Sequence, residues 1–150
     1  MTYAVLKTLH LLAVVIWVGG MFFAHVCLRP ALAALDPPVR LRLMHAVLTR
    51  FFAVVGVVVL VVLATGLWMV AQTSAGGALP LGWTVMAVLG LVMMAVFGHI
   101  RFALFKRLDR AVAAQDWPAG GAALAKIRQA VLLNLFFGGV VIVVLRLSGT

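Results

Sequence analysis

Acidic side chains are nearly missing: Asp36, Asp109 and Asp116 are the only three among 150 residues. All three fall in the flanks of apolar stretches. That excludes paired-carboxylate acid–base work and carboxylate proton relays at membrane depth. Cysteine is scarcer still. Cys27 stands alone, so the chain has no internal disulfide and no Cys-pair metal motif. No Gly-rich phosphate loop follows a strand, and a hydrolase would have little to work with. Charged residues make up only 10% of the chain, against about 25% in a soluble globule. Hydrophobic residues reach 66%, where a soluble globule has about 45–50%, and the mean hydropathy is +1.24. A sphere of this size has too much surface to hide so much Val, Leu and Ala from water. Disorder, a disulfide scaffold and an ordinary cytosolic enzyme are poor fits. A membrane protein fits.

Four apolar stretches, near 3–28, 51–71, 83–105 and 129–147, are each long enough to cross roughly 30 Å of hydrocarbon. They are continuously apolar, without the period-two alternation of a barrel strand. The expected fold is therefore all-α, a single up-and-down bundle of four transmembrane helices over residues 1–150. Its connections are a Pro and Arg segment (Arg29 to Arg50), a Gly-rich turn (Ser74 to Gly82) and a basic stretch (Arg101 to Arg128). The net charge of +9 is concentrated in the first and third of these, and the second carries none. The positive-inside rule then puts connections one and three in the cytoplasm, with both termini outside. A basic rim of this kind suits anionic headgroups, and no nucleic-acid partner is expected.

From Pro38 to Phe51 nothing breaks a helix, so helix two should project inward by about two or three turns. Helix three should continue to Gln115 and stop before Trp117-Pro118. A signal peptide, with Lys7 in its n-region and Ala31-Leu32-Ala33 as cleavage site, is the alternative for the first span. Its apolar run is too long for that, and Arg29 and Pro30 precede the site. An anchor is expected.

Polar groups at membrane depth are the informative ones. His10 lies about two turns inside span one, and His25 lies roughly 22 Å further along it. The two imidazoles are about 60° apart around the helix, so both can face the bundle interior. His10, Ala13, Trp17, Gly20, Ala24 and Cys27 follow a three-four spacing rich in small residues, as close helix packing needs. His99 and His45 lie near His25 in depth, and two such imidazoles from neighbouring helices can ligate a haem iron axially. Toward the outer end, His10, Met69 and Met86 share a level, and imidazole plus thioether suits Cu(I). Bland roles compete with each of these. Interfacial histidines hydrogen-bond to headgroups or carbonyls, and methionines fill apolar gaps. Trp68 and Trp83 fit an interfacial belt. Arg50 and Arg101 snorkel to phosphates, while Thr65 and Asn134 read as interhelical adhesive.

Leu9-His10-Leu11-Leu12-Ala13, followed by Trp17-Val18-Gly19-Gly20, resembles the first-span signature of the copper-resistance protein D (CopD) family. Arg50-Phe51, Thr65-Gly66 and Gly98-His99-Ile100-Arg101 extend the resemblance through spans two and three. It implies a multi-pass protein of the bacterial inner (cytoplasmic) membrane, associated with copper uptake or tolerance through a periplasm-facing metal route. His10 is then the first position to test as a ligand. The chain also resembles, more distantly, the four-helix HemJ-type protoporphyrinogen oxidases, which bind haem b and have histidines at the places of His10 and His99. Those proteins carry a Lys in the outer half of span three, where this chain has Met86, Ala87 and Val88.

Three readings follow. In the first, a copper ion is bound or passed at His10, Met69 and Met86, with a periplasmic metal carrier and further copies of the chain as candidate partners. In the second, a b-type haem is held by two of His25, His45 and His99; His10, toward the opposite end of its span, does not share their level and cannot share that haem. In the third, the chain is a membrane subunit without a metal. No catalytic residue is assigned, and an enzymatic role is the less expected one.

Overall fold

The computed structural model describes residues 1–73 and 78–148. They form four long helices: α1 (Thr2–Ala34), α2 (Pro37–Thr73), α3 (Leu81–Ala113) and α4 (Trp117–Leu147). No strand occurs among the described residues, as continuously apolar runs require. All four helices are long and apolar enough to span a bilayer. In no apolar window is more than 28% of the residues buried within the bundle. Leu11, Val15, Val57, Leu60, Leu91 and Phe136 point outward, and among the described residues the buried polar ones are Thr65 and Asn134. Only lipid can cover such a surface, so the chain is an integral membrane protein of the all-α, four-helix class.

The helices outrun the expected spans at the basic end. α2 begins at Pro37 and α3 continues to Ala113, the inward projections anticipated for both. Two extensions were not anticipated. α1 passes through Arg29 and Pro30 to Ala34, although proline lacks the backbone donor and crowds the preceding turn. A π-helical stretch over Phe23–Leu28 precedes it, in which the Arg29 N–H reaches back to the Ala24 carbonyl. The wider turn loosens the backbone where the proline ring would otherwise crowd it. α4 begins at Trp117, twelve residues before the expected span. The Asp116 carboxylate caps it by accepting from the Ala119 N–H at 3.0 Å, and Pro118 sits in the first turn, where its missing donor costs nothing. The third connection thus shrinks to 114–116, turned by Gln115 at φ 57°. Of the Gly-rich second connection, 74–77 lie outside the described residues.

α1 packs mainly on α2, α3 mainly on α4, and α4 also touches α1 and α2. Near the middle, Ala13, Trp17 and Met21 of α1 pack with Val55, Val58 and Val62 of α2 and Met93 of α3. At the basic end, Leu41, Leu48, Ile100, Leu108 and Ile127 form a second cluster, which glues the helical projections together. The small-residue stripe of α1 works as expected as far as Gly20. A Cβ there would lie 2.7 Å from Phe51 Cε2, so the Phe51 ring can rest against α1 at this point because Gly20 lacks one. Past Phe23 the stripe is lost, because a π turn rotates each residue by less than an α turn. Cys27 consequently ends up exposed.

Candidate functional site

Helix register turns His10 toward α2. Its ring is half-buried, and Nδ1 lies 2.7 Å from the Thr65 Oγ1. The Thr65 hydroxyl has one hydrogen, and it donates to the Val61 carbonyl one turn back, at 2.6 Å. With that hydrogen committed, the hydroxyl oxygen accepts toward His10, which favours the ring proton on Nδ1 and the lone pair on Nε2. The Val62 carbonyl, 3.3 Å from the same hydroxyl, is a second acceptor beside the ring. Gly66 makes the room. A Cβ at that position would stand 3.4 Å from His10 Cε1, so α2 presents the imidazole with an acceptor and a shallow seat in two consecutive residues.

A metal-ligating histidine normally has its second nitrogen held by a hydrogen-bond acceptor that fixes tautomer and ring direction, and the contact of His10 with Thr65 is of that form. Met69 follows Thr65 by one turn on the same face of α2 and is buried. Met86 on α3 is half-buried. Trp68 meets Tyr3 with ring centroids 6.3 Å apart, which closes the end of α1 against α2.

The other three histidines have separate surroundings. His45 Nε2 pairs with Asp109 Oδ1 at 2.8 Å across the projections of α2 and α3, and its ring stacks on Phe105 at 5.3 Å and 7°. His99 is exposed on the outside of α3. His25 is half-buried on the π-helical stretch of α1 and lines a groove among α1, α2 and α4. Among the described residues no three His, Cys, Asp or Glu side chains converge. Arg101 lies over Phe102 and Phe105, at 5.9 and 5.5 Å, so its charge rests on aromatic faces.

Two partners went unread in the sequence. Thr65 hydrogen-bonds across helices, as expected of an adhesive residue, but that its partner is His10 depends on how α1 and α2 are rotated. Asp109 as the partner of His45 was visible only as one of three scarce acids, because the pair joins positions 64 residues apart. Asn134 is an adhesive residue as expected. Its Nδ2 donates to the Met93 carbonyl at 3.0 Å, while its buried Oδ1 has no partner among the described residues.

Neither the curated proteins nor the solved structures contain a significant match to the chain. The family model described as copper resistance protein D matches residues 45–147. The match takes in most of α2, with Thr65 and Gly66, and all of α3 and α4; it begins after α1, so His10 lies outside it. It covers well over half of the 150 residues, and the chain belongs to the CopD (copper resistance protein D) family.

Proposed function

We propose that this protein serves copper homeostasis in the bacterial inner membrane, with Cu(I) as its cargo and His10 as the ligand that receives it. One observation carries the reading. The chain of hydrogen bonds from His10 Nδ1 through the Thr65 hydroxyl to the Val61 carbonyl favours the lone pair on Nε2 and holds the ring in place. Met69 and Met86 supply thioether sulfur at the same end of the bundle. Nitrogen and thioether donors are soft enough to favour Cu(I) over harder cations. Lys and Arg gather at the opposite end, so the positive-inside rule puts this end at the periplasm, where a metal carrier would deliver the ion.

The donor set carries no formal charge, which suits a weakly hydrated monovalent ion in a dry site. A divalent ion in a dry site is held better with anionic ligands such as carboxylates or thiolates, and neither residue type lies at this level. A b-type haem held by the inner histidines has less support, since His45 is engaged with Asp109 and His99 faces outward.

The experiment is a Cu(I) titration of the purified full chain in detergent against a chromogenic chelator. His10→Ala should abolish binding, and Met69→Leu and Met86→Leu should each weaken it. Unchanged affinity in His10→Ala, or no Cu(I) binding by the parent chain, overturns the reading.

A further inference from the structure

At the basic end, α1, α2 and α4 do not close on one another. They leave a groove of about 470 Å³, within the range of about 300–1,000 Å³ typical of small-molecule sites. Its walls are apolar, with Leu41, Leu48 and Ile127 among them. Three arginines line it as well: Arg29, Arg40 and Arg128. By helical rise, Arg40 is about 4 Å from the start of α2, and Arg128 is about 16 Å from the start of α4. The cations thus descend along the groove and are not gathered at its mouth. Arg40 and Arg128 are half-buried. No carboxylate lines the groove, and the ion pair found among the described residues, His45–Asp109, does not involve these arginines. Half-buried cations beside an apolar wall, with no protein anion to meet them, call for an amphiphile that brings its own.

We infer that this groove is a binding site for an anionic phospholipid of the cytoplasmic leaflet, its headgroup lying among Arg29, Arg40 and Arg128 and its acyl chain leaving past the half-buried Ala24 and Val131. Basic pockets between transmembrane helices on the cytoplasmic side are suited to such headgroups. The groove starts at the depth of His25 and Leu48, where the expected span of α2 meets the headgroups, and runs from there toward the basic ends of the helices. The arginines that orient the chain therefore also select a lipid. Haem, with its carboxylates, is the other amphiphile of comparable size. Here it would find one imidazole, His25, because His45 is turned to Asp109.

The test is native mass spectrometry of the full chain in detergent, titrated with phosphatidylglycerol and phosphatidylcholine of the same acyl chains. Retention of phosphatidylglycerol should exceed that of phosphatidylcholine by about tenfold or more. The preference should fall to parity in the triple variant Arg29→Gln, Arg40→Gln, Arg128→Gln. A second variant guards against loss of fold. Gly121 lines the groove and a Cβ there meets nothing within 4 Å, so Gly121→Leu starts a bulky side chain from an open position on the groove wall. It should lower phosphatidylglycerol retention while helicity and Cu(I) binding stay unchanged. Equal retention of the two lipids by the parent chain overturns the inference. So does a preference that survives both variants, or a Soret band that disappears in Gly121→Leu. None of these outcomes bears on His10, which lies at the other end of the bundle.

Discussion

His10 and Thr65, 55 residues apart, meet across the α1–α2 interface with Nδ1 2.7 Å from Oγ1. The hydroxyl is committed to its own helix through the Val61 carbonyl, so it acts toward the imidazole as an acceptor. Thr65→Val keeps the shape and removes the oxygen. Cu(I) affinity should drop by about 10–100-fold, the usual effect of losing a ligand's hydrogen-bond partner. Thr65→Ser should retain most of it. Equal affinities for the valine and serine variants would contradict the assigned tautomer.

Gly66 leaves a gap that one methyl group just fills, at 3.4 Å from His10 Cε1. Gly66→Ala should leave Cu(I) binding nearly unchanged, because that distance is ordinary contact. Gly66→Leu should push the ring off Thr65 and weaken binding as much as Thr65→Val does. Chelator competition on the two variants separates these outcomes.

The Phe51 ring of α2 rests against α1 at Gly20, below the site. A Cβ at 2.7 Å from the ring edge forces Phe51 to move, and Gly20→Val should destabilise the bundle by about 1–3 kcal/mol. Phe51→Ala should relieve the clash, so the double variant loses less than the sum of the singles. Thermal unfolding in detergent measures the cycle, and strict additivity would contradict the contact.

The His45–Asp109 pair is solvent-facing, with side-chain exposures of 25% and 62%. Exposed pairs contribute little, so Asp109→Asn should change unfolding by less than about 1 kcal/mol. Neither Asp109→Asn nor His45→Ala should alter Cu(I) affinity. A loss of copper in either variant would place the metal at the wrong end of the bundle.

Much of the architecture was legible, because continuous apolar runs, scarce acids and clustered arginines leave few alternatives to a four-helix membrane bundle. The extra helix at the basic end was legible where no breaker intervened, as from Pro38 to Phe51. It was missed where a breaker was read too simply. Pro30 does not end α1, because the π turn at Phe23–Leu28 accommodates it. α3 does stop before Trp117-Pro118, but the same residues, with Asp116 as an acidic cap ahead of the proline, also start α4. The choice of His10 came from composition and resemblance. Its attachment to Thr65 and Gly66 did not, since helix rotation is fixed by packing such as that of Gly20 on Phe51. The arginines of the groove were read correctly as basic flanks, but charge counting cannot show that three of them line one cleft.

X-ray absorption at the copper K-edge, on the full chain loaded with one equivalent of Cu(I), tests the central claim most directly. Imidazole nitrogen scattering together with sulfur is predicted, with the imidazole contribution lost in His10→Ala. A spectrum without imidazole scattering, or one that His10→Ala leaves unchanged, would contradict the assignment of His10 as the copper ligand.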